Sequence, residues 1–151
     1  MNAQFVLDNS IILAWLFHEG EPEADRIMDR LVDGAALAPG IWPLEFANTL
    51  VVARRRRRLR EAEAVRAREV VLALPIQIVP DDSGRVLSTV MALAHDQGLS
   101  VYDACYLDLA MREGLPLATL DRQLSDAARR CSVPLLTEAP VKPSHSSKAK
   151  R

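Results

Sequence analysis

Several things are scarce in this chain, and each scarcity narrows the reading. There are two cysteines, Cys105 and Cys131, in 151 residues. The N-terminus shows neither a basic n-region nor a small-residue cleavage site, so a secretion signal is not expected. Two thiols in that setting read as reduced core residues of a cytoplasmic protein rather than as a disulfide. No apolar run approaches the roughly 18 residues of a membrane-crossing helix, so no membrane span is expected. Lysine is missing before Lys142, which removes the pocket lysine on which a phosphoacceptor receiver domain depends. Glycine is sparse, at 6 residues. No glycine-rich turn follows the first apolar run, as a dinucleotide-binding fold would require. Asp8-Asn9-Ser10 carries serine where a haloacid-type phosphatase would place its second acid. The three histidines, His18, His95 and His145, are scattered, and no two share metal-ligand spacing.

What remains is ordinary for a globular chain: 49% hydrophobic and 26% charged residues, enough for one domain with a substantial core. The net charge of -1 is unevenly placed. The segment after Glu138 holds Lys142, Lys148, Lys150 and Arg151 and no acid, so the body of the chain is more acidic than the total suggests. An acidic body argues against broad coating of nucleic acid. It leaves room for a nuclease whose acids are neutralised by metal.

Short apolar runs alternate with helical periodicity along the chain. Strands are predicted at residues 5–7, 35–38, 76–79, 117–119 and 133–136. Helices are predicted at 11–17, 23–32, from Trp42-Pro43 into the arginine run at 54–58, at 61–74, at 86–94, from Ser100 to the stop at Gly114, and after Asp121. In the helix after Ser100, Leu107, Ala110 and Met111 mark an apolar face, and Ser100 precedes Asp103 by the spacing of a capping box. Alternation of this kind predicts an α/β fold with a parallel sheet covered on both faces. The last strand contains Pro134 and suits an edge. Residues 1–138 form the expected domain. Residues 139–151 are polar, basic and rich in proline and serine, and are expected to be disordered.

Four acids fall at the ends of these elements. Asp8 follows the first strand, Glu45 lies in the first turn of a helix, Asp103 begins another, and Asp121 follows the fourth strand. In a parallel sheet such positions share one edge, where ligand sites form. Taken singly, each acid is also a plain helix-cap residue. Taken together, crowded carboxylates repel unless cations are present. Hard divalent ions such as Mg²⁺ or Mn²⁺ accept oxygen ligands of this type. An all-carboxylate cluster without His or Cys suits metal-assisted phosphodiester hydrolysis. Ser10, Asn48 and Thr119 are uncharged neighbours suited to orienting ligands or waters. Glu45 and Asn48, three apart on one helix, are placed to meet the same ligand.

Four segments then carry a resemblance: Phe5-Val-Leu-Asp8-Asn-Ser10, Pro43-Leu-Glu45-Phe-Ala-Asn48, Leu99-Ser-Val-Tyr-Asp103-Ala-Cys-Tyr-Leu107 and Leu115-Pro-Leu-Ala-Thr119-Leu-Asp121. In this order they resemble the signature of the PIN-domain family, in the form found in VapC toxins of type II toxin–antitoxin pairs. The resemblance spans residues 4–136. It implies a PIN-like three-layer α/β/α sandwich with a mostly parallel five-stranded sheet in order 3-2-1-4-5. It also implies a Mg²⁺- or Mn²⁺-dependent endoribonuclease that is usually dimeric. Asp8, Glu45, Asp103 and Asp121 match the family's acidic quartet, and Asn48 and Thr119 its polar companions. On that pattern Asp8, Asp103 and Asp121 hold the metal and Glu45 assists or positions water. The implied partners are single-stranded RNA and a small VapB-type antitoxin, with operator DNA bound only through the antitoxin. A groove beside the helical hairpin at residues 42–74, with Trp15, Leu16 and Phe17 as lining, is the expected docking surface; core packing is the competing role for those three. The run Arg54, Arg55, Arg56, Arg57, Arg58 suits either RNA phosphates or a solvated helix end. Alternatives within the family are a nuclease of RNA processing or of DNA, and an inactive regulatory module.

Overall fold

The computed structural model describes residues 2–136. The expected disordered tail, its basic charges, the domain boundary at 138 and His145 lie outside the described residues. The chain runs through β1 (Ala3–Leu7), α1 (Asn9–Leu16), α2 (Pro22–Asp29), β2 (Ala35–Pro39), α3 (Trp42–Arg55), α4 (Glu61–Leu72), β3 (Ile76–Val79), α5 (Ser83–Arg85), α6 (Met91–Gln97), α7 (Val101–Glu113), β4 (Leu117–Ala118) and α8 (Arg122–Arg130). A short 3-10 turn, Arg30–Val32, extends α2, and a π-helical turn, Val86–Val90, joins α5 to α6. The single helix predicted at 86–94 is therefore longer and irregular. It starts where Asp82 Oδ2 accepts the Arg85 amide at 2.8 Å and ends at Gly98, whose φ of 65° is left-handed.

The four strands form one parallel sheet in the order β3-β2-β1-β4. Val6 lies beside Leu37 on one side and Leu117 on the other. Phe5, Val6 and Leu7 are wholly buried, as a central parallel strand requires. The strand count of four, not five, corrects the expectation for residues 133–136. Leu135 makes only an isolated parallel bridge to Leu117, held by Leu117 N to Pro134 O at 2.8 Å and Leu136 N to Leu117 O at 2.9 Å. The cause lies in β4, which is two residues long, with Thr119 bonding to Asp8 just beyond it. Pro134 also lacks the N–H that a longer ladder would use.

The core gathers Phe5, Leu7, Ile11, Ile12, Tyr106, Leu107, Leu117 and Leu124. A second, smaller cluster of Val90, Ala94, Ala104 and Cys105 lies where α6 meets α7. Helix α7 is thereby packed on two sides: against β1 and β2, and against α6 and the π turn. Every residue from 104 to 110 is buried, whereas Met111, expected on the apolar face, is exposed. Both cysteines are free, Cys105 buried and Cys131 half-buried. Among the described residues, no helix is long and apolar enough to cross a membrane.

The arginine run does not continue α3. The helix stops at Arg55, and Arg57 takes a left-handed φ of 55°. Leu59 then turns inward, and α4 begins where Glu63 Oε2 accepts the Arg60 amide at 2.7 Å.

Candidate active site

The direction of the crossovers reverses at β1, because β2 and β4 lie on its opposite sides. The carboxyl ends of β1 and β4 flank this switch point, where α/β sheets bind ligands. Asp8 is the first residue past β1, and its amide bonds to Ala118 O at 2.9 Å. It is 5% exposed. Its Oδ2 accepts from Ser10 Oγ at 2.6 Å and from Thr119 Oγ1 at 2.7 Å. The same hydroxyls accept backbone amides from the β4 side: Leu120 N to Ser10 Oγ and Asp121 N to Thr119 Oγ1, both at 3.0 Å. Two small hydroxyls thus tie the strand ends together and fix the Asp8 carboxylate.

Asp121 caps α8, its Oδ1 accepting the Leu124 amide at 2.8 Å. Capping occupies one carboxylate oxygen and leaves the other, so cap and site are compatible. Asp103 lies in the first turn of α7, where Ser100 Oγ accepts its amide at 3.1 Å. Glu45 lies in the first turn of α3, and its Oε1 accepts from Tyr106 Oη at 2.7 Å. Asn48 is exposed. It lines an open cleft of about 400 Å³ together with Glu45, Asn9 and Tyr102.

The acids register one another. Burial pushes the Asp8 carboxyl above the usual carboxylate range, against the pull of its two hydroxyl donors. Burial, then the charges of Asp8 and Asp121, push Asp103 up to about 6. Glu45 is raised by burial and by Asp8 and Asp103, while the Tyr106 hydrogen bond opposes the rise. The Tyr106 phenol is itself driven up, chiefly by burial and then by Asp8 and Glu45. Among the described residues, no three His, Cys, Asp or Glu side chains close into a group that holds an ion as they stand. The quartet is gathered at charge–charge range, with one oxygen each of Asp8, Glu45 and Asp121 engaged in a protein hydrogen bond. Its chemistry suits a hard divalent cation: oxygen donors only, and mutual repulsion for a positive charge to relieve. His18 and His95 are exposed, and His18 lines a different cleft.

Two members of this neighbourhood are absent from the sequence-based set. Tyr106 reads as a core position on α7, although a buried tyrosine hydroxyl needs a partner and Asp103 lies one turn before it. Asn9 reads as a helix cap. It is instead the first residue of α1, and among the described residues its buried Oδ1 has no hydrogen-bond partner.

Residues 5–130 match the family model of the PIN domain. The chain belongs to the PIN-domain family. Ribonuclease VapC3 of Pyrobaculum aerophilum is 34% identical over 124 residues, which cover 82% of this chain and 93% of that protein. The crystal structure of PAE2754 from the same organism superposes with a TM-score of 0.65 at 26% identity, covering 83% of this PIN domain's chain and 84% of the other. A toxin–antitoxin complex from Klebsiella pneumoniae shares the fold, with a TM-score of 0.55 at 19% identity over 78% of this chain and 87% of the matched one.

Away from the acids, Leu16 and Phe17 line a cleft of about 330 Å³ with Leu59, Ala67 and Val70 of the α3–α4 hairpin region. Both are also packed against the core, as is Trp15, which does not line that cleft. Leu16 and Phe17 thus pack against the core and also line an open cleft, while Trp15 packs against the core alone.

Proposed function

We propose that this PIN domain is a metal-dependent, single-strand-selective endoribonuclease and the toxin half of a VapC-type pair. The observation that carries the reading is the gathering of Asp8, Glu45, Asp103 and Asp121 from four element ends to one edge of the sheet, where, besides burial, the charges of Asp8 and Asp121 raise the pKa of Asp103 and those of Asp8 and Asp103 raise that of Glu45. The similarity to a ribonuclease over most of both chains supports the same chemistry.

Asp8, Asp103 and Asp121 would hold Mg²⁺ or Mn²⁺. Such an ion supplies charge neutralisation at the scissile phosphate and a lowered pKa for attacking water. The protein's part is positioning. Ser10 and Thr119 hold the Asp8 carboxylate in one orientation. Tyr106 occupies Oε1 of Glu45, leaving Oε2 to orient a water and take its proton. Ser100 fixes the first turn of α7 and with it the backbone of Asp103. The partner reading follows the family relationship. A VapB-type antitoxin would dock beside the α3–α4 hairpin, in the cleft containing Leu16 and Phe17, with operator DNA bound through the antitoxin and the toxin present as a homodimer.

The test is cleavage of a mixed RNA panel by purified, antitoxin-free protein with Mg²⁺, with Mn²⁺ and with EDTA, beside Asp8→Asn. The expected outcome is metal-dependent cutting, lost in EDTA and reduced to background in the variant, which keeps its fold because like-charge repulsion is relieved. Cutting at the wild-type rate by Asp8→Asn would overturn the metal assignment. Absence of cutting by folded protein under every condition would overturn the nuclease.

A further inference from the structure

The cleft beside Glu45 has a makeup that the acidic chemistry does not use. Asn9, Asn48 and Tyr102 surround it, with Ile41 and Leu44 as an apolar wall. Tyr102 is 59% exposed and Leu44 68%, so large apolar surfaces stand in water next to polar amides. Asn9 is 9% exposed, and its buried Oδ1 finds no donor among the described residues. A buried acceptor left unpaired costs free energy that a ligand N–H can recover. The ligand that suits this surface offers a flat apolar face to the Tyr102 ring and donors at its edge to Asn9. It also carries no negative charge where it enters, because the Glu45 carboxylate forms one wall and disfavours an anion. A phosphate fails the last condition. A nucleobase meets all three.

We propose that this cleft is a subsite for one unpaired nucleobase of the RNA, stacked on Tyr102 and hydrogen-bonded by Asn9 and Asn48, next to the phosphate held at the acidic quartet. This rests on the nuclease reading and deepens it. A base locked inside a duplex cannot enter such a cleft, whereas single strands expose both faces and edges for stacking and readout. The subsite therefore supplies the physical basis for single-strand selectivity. Tyr102 directly precedes Asp103, so the stacking platform and a quartet carboxylate share the first turn of α7.

The experiment measures the affinity of the full chain carrying Asp8→Asn for a fluorescein-labelled single-stranded RNA of mixed sequence, with and without Tyr102→Ala. Tyr102→Phe serves as the conservative variant. A second RNA has the same backbone without bases. The expected result is a loss of about five- to a hundred-fold in affinity for the base-bearing RNA in Tyr102→Ala. Tyr102→Phe should bind normally, and all three proteins should bind the abasic RNA equally. Asn48→Ala should shift the preferred bases around the cut made by otherwise wild-type protein. Equal affinity of Tyr102→Ala and its parent for the base-bearing RNA overturns the subsite alone, as does an equal loss on both RNAs. A parent that binds neither RNA, together with wild-type protein that cuts none, overturns the nuclease reading as well.

Discussion

Asp103 is pulled in opposite directions. An acid in the first turn of a helix is favoured by the macrodipole, yet burial and the charges of Asp8 and Asp121 lift its pKa from 3.8 to about 6. Between those two values the folded protein holds a proton that the unfolded chain has released. Stability therefore falls as pH rises through this window and stays at its lower level above it. Asp8, also raised, contributes in the same direction. In metal-free protein, Asp103→Asn should gain Tm over wild type, with the gain growing as pH is raised from about 4 to about 6. Saturating Mn²⁺ should stabilise wild type and not the variant, since an ion bound only by the folded state adds to its stability. Thermal melts across pH, with and without Mn²⁺, check both. A gain independent of pH would mean that the Asp103 pKa is not raised in the folded protein. The acids were legible from sequence because each sits at a recognisable element end. Tyr106 was not, because its partner Glu45 lies 61 residues away in sequence and only the fold brings them together. Asn9 was hidden by its suitability as a cap.

At the scale of elements, α7 shows what periodicity misses. A helix covered on one side has a polar face to give to water, and the pattern of Leu107 and Ala110 suggested that arrangement. Here α6 and the π turn cover the other side, so Asp108 is 4% exposed. Its charge is met by Arg85, with Nε and Nη2 at 3.0 and 2.6 Å, and by Arg112 Nε at 3.0 Å. The pairing ties the start of the α5–π–α6 segment to α7, the helix that carries Asp103 and Tyr106. Asp108→Ala should cost about 2 kcal/mol, the scale for losing charged hydrogen bonds at a buried acceptor. Asp126→Ala, which removes the exposed ion pair with Arg129 at 2.8 Å, should cost about 0.5 kcal/mol or less. Urea unfolding of both variants checks the contrast. Equal effects would mean that α6 is held by its apolar cluster alone. The fifth strand fails for a related reason: the run 133–136 is apolar enough for a strand, but a strand needs a neighbour of matching length, and β4 offers two residues. Local pattern records what a segment prefers. It does not record how much partner it will find.

For the whole molecule, the edge that gathers the acids was readable from the element ends, whereas the order of the strands came from the family resemblance. Asp8 and Asp121 follow strands while Glu45 and Asp103 begin helices, positions that share one edge of a parallel sheet. Long-range electrostatics were less readable, because five consecutive arginines read as a ring around a helix. In the fold they form its frayed end. Arg54 and Arg55 close α3, the run then leaves the helix, and all five are exposed. The Arg54–Glu61 ion pair, at 3.9 Å between exposed groups, costs little to break. Glu45 lies at the opposite end of α3, and at 1.5 Å of rise per residue Arg55 is about 15 Å further along the axis. A strand with one phosphate at the acids would reach the arginines only several nucleotides away. The run would then add affinity without taking part in cleavage, and its signature is ionic. With cleavage suppressed by Asp8→Asn, replacing Arg55, Arg56, Arg57 and Arg58 by Gln should flatten the plot of log affinity for single-stranded RNA against log salt. The slope should fall by about 0.7 for each phosphate that the arginines no longer neutralise. In otherwise wild-type protein the same change should raise KM and leave kcat nearly unchanged, because the arginines lie far from the reacting phosphate. A slope equal to that of the parent would assign the run to solvation of the helix end and leave the acidic edge and the Tyr102 cleft as the RNA-binding surface.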